Sequence, residues 1–184
     1  MVRPTRGVCA SGYCRGMQDA PRWVYADKQL PSIHGAMAAV SNEIRTRAEG
    51  MGIDRTVLEL VNLRCSQVNG CAFCLHLHTH LALRGGESPQ RIAVLPAWRE
   101  SDLFSNLEQA ALTIAEAVTT VSERHLTEDE YDLLREDLTD EQIALLVYAA
   151  SMINAFNRVS ILSHHPVTYR ESFGAPLKKD SHAS

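Results

Sequence analysis

Two cysteines and a histidine, Cys71, Cys74 and His78, form a Cys-x-x-Cys-x-x-x-His run near the middle of this 184-residue chain. On a helix advancing ~100° per residue they fall at roughly 0°, −60° and −20°, so all three share one face. By the same arithmetic His76 and His80 lie near 140° and 180°, on a side expected to face solvent. Within the helix only His78 serves Cys74, as its i+4 neighbour. A thiol that attacks an electrophile must be ionised, and an adjacent imidazole is a usual means of ionising it. Asn69-Gly70 is a turn signal, which puts Cys71 at a helix N-terminus, where backbone N–H groups and the helix dipole favour a thiolate. A Cys-x-x-Cys pair at such a start also brings its sulfurs close enough to bridge on oxidation. The chemistry expected is that of a nucleophile with a built-in resolving thiol.

Glu59 adds an acid. It stands twelve residues before Cys71 among Val57, Leu58, Leu60, Val61 and Leu63, apolar company that is costly for a carboxylate without a partner. An antiparallel hairpin about Asn69-Gly70 brings Glu59 level with His78, where it can orient the imidazole and favour its protonated form.

The elements that position these residues are helical almost throughout. Ile33, Met37, Val40 and Ile44 recur at helical spacing from Ser32 onward, and Gly50 is placed to stop that helix. Asp54 can cap a second helix, broken by Asn69-Gly70; a third runs from near Cys71 to Gly85-Gly86. Ser88-Pro89 starts a short one that Pro96 limits. Three capping boxes follow, Ser105-x-x-Glu108, Thr127-x-x-Glu130 and Thr139-x-x-Gln142, the last opening a long helix past Ile161. The expected fold is all-α, a compact bundle of six to seven helices over residues 31–170. An irregular leader, residues 1–30, precedes it and a tail, 171–184, follows. Cys9 and Cys14 read as incidental thiols in the leader. Trp98 and Cys65 read as packing residues. Asn154, Asn157 and Arg158 share one stripe of the last helix and read first as structural hydrogen bonding within the bundle, and second as pocket lining or an intersubunit polar contact.

Composition narrows the functional classes. The chain is 45% hydrophobic and 22% charged, with 10 Gly and 7 Pro, which suits a packed domain and excludes a disordered or collagen-like one. A net charge of −4 supplies no basic field for nucleic acid or an anionic membrane. The longest apolar run, Ile143 to Ile153, falls short of the ~20 residues of a membrane span, and no secretory signal is visible. The expected location is the cytoplasm. Five cysteines, an odd number, exclude a fully paired disulfide framework.

The run Glu59-Leu-x-x-Leu-Arg-x-Ser-x-x-Asn-Gly-Cys71-x-x-Cys74-x-x-x-His78 closely resembles the carboxymuconolactone decarboxylase superfamily, and within it the alkylhydroperoxidase D-like branch. The similarity continues through Gly85-Gly86-Glu87, Leu95-Pro96-Ala97-Trp98-Arg99, Ala115-Glu116-Ala117-Val118 and Asn154-Ala-Phe-Asn157-Arg158. The resemblance implies an all-helical fold assembling into homo-oligomers, often trimers or hexamers. It implies reduction of organic hydroperoxides with no cofactor: Cys74 attacks the peroxide, Cys71 resolves the sulfenic acid as a Cys71–Cys74 disulfide, and His78 with Glu59 relays protons. A thiol, or a lipoylated or thioredoxin-like protein, then reduces the disulfide. Small apolar positions such as Ala110, Ala111, Ala149 and Ala150 add to the expectation of self-association.

The chain departs from that branch at Phe73, where its best-defined hydroperoxidases often carry histidine. That departure supports a rival, a disulfide reductase or redox sensor cycling the same cysteines without significant peroxide turnover. A zinc-binding structural protein is a third reading, weakened by the want of an obvious fourth ligand beside Cys71, Cys74 and His78.

Overall fold

Local signals set the helix boundaries. Ser105, Thr127 and Thr139 each accept a hydrogen bond from the backbone N–H three residues on, while Glu108, Glu130 and Gln142 reach back to the cap, so all three capping boxes form. A computed structural model describes residues 22–168 and Phe173. In chain order the helices are α1 (Ala26–Gln29), α2 (Pro31–Gly50), α3 (Arg55–Asn69), α4 (Ala72–Arg84) and α5 (Pro89–Val94), then a 3₁₀ segment (Leu95–Glu100). They continue with α6 (Asn106–Thr119), α7 (Glu128–Asp137) and α8 (Asp140–Leu162). The seven helices read from the sequence are α2 to α8. The single turn α1 and the 3₁₀ segment carry too few residues to show a period, and α1 falls inside the stretch expected to be irregular. Cys9 and Cys14 lie outside the described residues.

Helices α3, α6 and α8 pack against one another at the centre, with α2 and α4 laid over α8 and α3. Val61, Cys65, Ala111, Ile114, Leu146 and Ala150 fill the main core. Each fully buried Val, Ile or Leu among them contributes about 1.5–3 kcal/mol. A second cluster, under the 3₁₀ segment, gathers Leu60, Leu63, Leu95, Trp98, Phe104 and Leu112. Trp98 also donates its indole N–H to Glu116 at 3.0 Å, and Arg64 pairs with the same carboxylate at 2.6 Å.

Two readings of the pattern change here. Ala110, Ala111, Ala149 and Ala150 are buried within the chain, so small residues at these positions let its own helices approach closely and give no support to self-association. Conversely, Ile33 and Val40, on the apolar stripe of α2, remain exposed, as do Tyr148 and Leu162 of α8. Helix α8, at 23 residues, is long and apolar enough to cross a membrane, yet Ile143, Leu146, Ala150 and Ile153 are buried inside the bundle. A core helix meets the same length and composition.

Candidate active site

The site begins with the end of α3. Gly70 adopts the left-handed conformation (φ 66°), and the N–H of Cys71 bonds back to the carbonyl of Ser66 at 3.0 Å, closing a Schellman-type stop. A side chain at position 70 has open space around it, so the backbone angle alone is what favours glycine there. The chain then turns at once into α4, with Cys71 as its N-cap in extended conformation (φ −84°, ψ 94°). The Cys71 thiol thus sits beside the first amides of α4. A hydrogen bond from the Cys74 thiol, together with the N–H groups of Cys74 and Phe73, lowers its pKa from 9.0 to about 6, against the opposing effect of burial. Cys74 shifts the other way: its hydrogen bond to Cys71, its burial and the charge taken by Cys71 raise it, while Asn157 and Ser160 work in the opposite direction. The two sulfurs are reduced and share one hydrogen bond, so at neutral pH a single negative charge belongs to the pair.

Access separates the two. Cys74 lines a cavity of about 320 Å³ between α2, α3, α4 and α8; Cys71 lies behind it and does not line the cavity. Leu58, Leu77, Leu81, Met152, Ile153 and Phe156 make much of the wall, and Glu59, His78, Arg55, Ser160 and His165 supply polar groups. Across the hairpin, His78 Nδ1 stands 2.6 Å from Glu59 Oε2. A carboxylate only accepts, so Nδ1 donates, and Nε2 is the nitrogen left to take up or give a proton. Arg55, one turn earlier on α3, donates from Nε to Glu59 Oε1 at 2.7 Å. Burial pushes the Glu59 carboxyl up, but the bonds and charges of His78 and Arg55 outweigh it and hold the group below its ordinary value.

Glu59, Cys74 and His78 therefore converge on one cavity, with Cys71 in contact from behind. His76 and His80 lie on the opposite side of α4, as the spacing requires, but they are not simply solvated. Both are half-buried, and the Phe173 ring covers them at centroid distances of 4.9 and 5.5 Å. Asn157 is fully buried: it accepts from Asn69 at 2.9 Å and donates to Ser66 at 3.1 Å. Asn154 accepts from Asn69 at 2.8 Å and from Arg158 at 2.9 Å, completing a network between α3 and α8. The stripe is structural first, and through Asn157 it also reaches the Cys74 thiol. Cys65 is buried, and its thiol is raised to about 11 by desolvation, consistent with packing.

Sequence reasoning missed three polar groups of the site. Arg55 had a signal, its i,i+4 relation to Glu59. Ser160 also had one, lying three residues past Asn157 on the same stripe. His165 had none beyond its place after the last helix. Among the described residues, no group of three or more His, Cys, Asp or Glu side chains converges as a metal site would.

The profile of the carboxymuconolactone decarboxylase family matches residues 19–117, and the chain belongs to that family. It is 43% identical over 109 residues to the uncharacterized protein YdfG of Bacillus subtilis, covering 59% of this chain and 74% of that one. Among solved structures it resembles a protein of unknown function from Agrobacterium tumefaciens whose suggested role is AhpD-type antioxidant defence. That match has a TM-score of 0.74 at 29% identity, over 80% of this chain and 98% of the other. The fold is also that of an AhpD-core, peroxidase-related protein from Ralstonia eutropha, with a TM-score of 0.68 at 17% identity over 80% and 76% of the two chains. The debrominase Bmp8 shares it too, with a TM-score of 0.66 at 19% identity over 77% and 74%.

Proposed function

We propose that this protein is a thiol-dependent peroxidase that reduces organic hydroperoxides. The observation that carries the reading is the placement of Cys74 on a largely apolar cavity that also holds the Glu59–His78 pair. In the first step Cys74 gives up its proton to a base of the site and attacks the terminal peroxide oxygen as the thiolate; the O–O bond breaks, an S–O bond forms, and the sulfur becomes a sulfenic acid. The departing alkoxide takes a proton, supplied from His78, and leaves as the alcohol. Cys71 then displaces hydroxide from the sulfenic sulfur, giving the Cys71–Cys74 disulfide and water. A dithiol reductant restores both thiols by exchange.

Burial bears on the choice of reductant and on the rival reading. Cys71 is 1% exposed and Cys74 3%, so a folded protein disulfide does not reach them from outside. A hydroperoxide, or a narrow dithiol carried on an arm such as a lipoyl group, fits through the cavity. This favours peroxide turnover over exchange with protein disulfides. We further propose a cytoplasmic location and a homo-oligomer, a trimer or hexamer, supported by the exposed Ile33, Tyr148 and Leu162. Light scattering at micromolar concentration tests the oligomer; a monomer mass overturns it.

The activity is tested with the reduced protein and one equivalent of cumene hydroperoxide. The expected result is stoichiometric formation of cumyl alcohol with a Cys71–Cys74 bridge found by mass mapping. Peroxide left unconsumed, with both thiols free, overturns the proposal.

A further inference from the structure

A second acid–imidazole pair stands on the other flank of Cys74, and the Glu59–His78 relay does not use it. Its parts come from segments far apart in sequence: Asp27 on α1, and His165 just beyond the end of α8. The two segments are clasped together. Ser163 Oγ accepts the N–H of Ala26 at 3.1 Å, and the Trp23 ring stacks on His164 at 3.7 Å. Asp27 Oδ1 lies 2.9 Å from His165 Nε2. The other ring nitrogen, Nδ1, is 3.3 Å from Ser160 Oγ, and that oxygen is 3.7 Å from Cys74 Sγ.

These four groups form a continuous file with a fixed polarity. Asp27 accepts only, so Nε2 of His165 carries the hydrogen and Nδ1 is an acceptor. The Ser160 hydroxyl then donates to Nδ1, which leaves its oxygen to accept the Cys74 S–H whenever that proton is not turned toward Cys71. Every donor points from the sulfur toward the acid. The ring is held in place by Phe73, edge-on at 5.0 Å, and by Tyr25, nearly parallel at 5.7 Å. The Asp27 carboxyl, although partly desolvated, is kept below its ordinary value by the bond and charge of His165.

We propose that His165, oriented by Asp27, is a positioning residue that controls the proton on Cys74 through Ser160. The inference rests on Cys74 being the attacking thiol. In the step itself the thiol proton passes to Ser160 Oγ as the hydroxyl proton passes to His165 Nδ1. The S–H and one O–H bond break, a new O–H and an N–H bond form, and no electrons leave the site. Cys74 becomes a thiolate, Ser160 is unchanged, and His165 becomes an imidazolium against Asp27. His78, across the cavity and paired with Glu59, is then left, as the imidazolium, to protonate the departing alkoxide from Nε2. The titratable groups that bear on this file are Asp27, His34 from α2, Cys71 and Cys74, with Glu59 and His78 across the cavity.

The test is the pH dependence of Cys74 alkylation by iodoacetamide. It is followed by mass mapping on the full chain carrying Cys71→Ser, so that the charge is not shared with a second sulfur. His165→Gln keeps a donor toward Asp27 and removes the base beside Ser160; Ser160→Ala removes one oxygen and leaves the Asp27–His165 pair intact. Each is expected to move the rise in alkylation to higher pH by about one unit, an approximately tenfold slower reaction at neutral pH. Asp27→Asn is expected to shift it the same way by less. If either His165→Gln or Ser160→Ala, folded by circular dichroism, keeps the parent profile, the inference is overturned; should one of them fail to fold, the other decides. No peroxide enters the assay. Peroxide turnover is read separately on the chain with Cys71 intact, so an unmoved profile with intact turnover removes this relay alone, whereas a shifted profile without turnover removes the peroxidase reading alone.

Discussion

The two acid–imidazole pairs around Cys74 share a chemistry and differ in how they are built. Glu59 and His78 are 19 residues apart, on consecutive helices joined by one tight turn. Asp27 and His165 are 138 residues apart and meet only where α1 reaches the end of α8. Glu59 is almost wholly buried, with both oxygens engaged by His78 and Arg55, whereas Asp27 keeps about a fifth of its side chain exposed (22%). The first pair is positioned by local chain geometry and held by the core. The second depends on closure of the whole bundle, and its geometry is only as firm as the clasp of Ala26 on Ser163. Equal chemistry therefore does not imply equal effect.

The largest expected effect removes the sulfur that both pairs address: Cys74→Ser lowers cumene hydroperoxide turnover by at least about 10²-fold. Full turnover in that variant would leave neither pair with a role. Next comes a titration. The ultraviolet thiolate absorbance of the reduced protein should appear with a midpoint of about 6, well below the ordinary 9.0, and disappear in Cys71→Ser. Because that value is set by Cys74 and by the start of α4, His78→Gln should leave it in place. His78→Gln itself should reduce kcat by roughly 10²-fold with little change in KM, and should cost more than Asp27→Asn. The reverse order would show that the distant pair dominates.

Glu59→Gln should cost on the order of 1–3 kcal/mol in urea unfolding at neutral pH, since one of two charge-assisted bonds loses its acceptor oxygen and the other loses its charge. The sign with pH is fixed. The Glu59 carboxyl is lowered by folding, so its contribution is fully present above its ordinary 4.5 and is lost as pH falls through the lower folded value. The variant should lose less stability than the parent on acidification. The smallest effect, about 1 kcal/mol, is expected for Thr139→Ala, which removes the α8 cap far from both pairs. If it also lowered turnover, the site would be responding to α8 as a whole.

This division also explains how much could be read in advance. The capping boxes, the Asn69-Gly70 stop and the shared face of Cys71, Cys74 and His78 depend on residues within a turn or two of each other, so spacing alone reveals them. Glu59 was legible because one hairpin maps it onto His78. Asp27 and His165 carry no period, and the docking that joins them is a property of the completed bundle. Ile33 and Val40 make the complementary point: periodicity marks the apolar side of α2, but not whether another element of the same chain covers it.

The clasp between Trp23–Asp27 and Ser163–His165 has one more consequence, for biosynthesis. Asp27 leaves the ribosome well ahead of His165 and must wait for 138 further residues before its histidine exists. The Glu59–His78 hairpin can be in place long before that. A nascent or front-clipped chain would thus carry a half-equipped sulfur centre on an otherwise settled helical scaffold, and full reactivity would arrive only as the two remote segments meet.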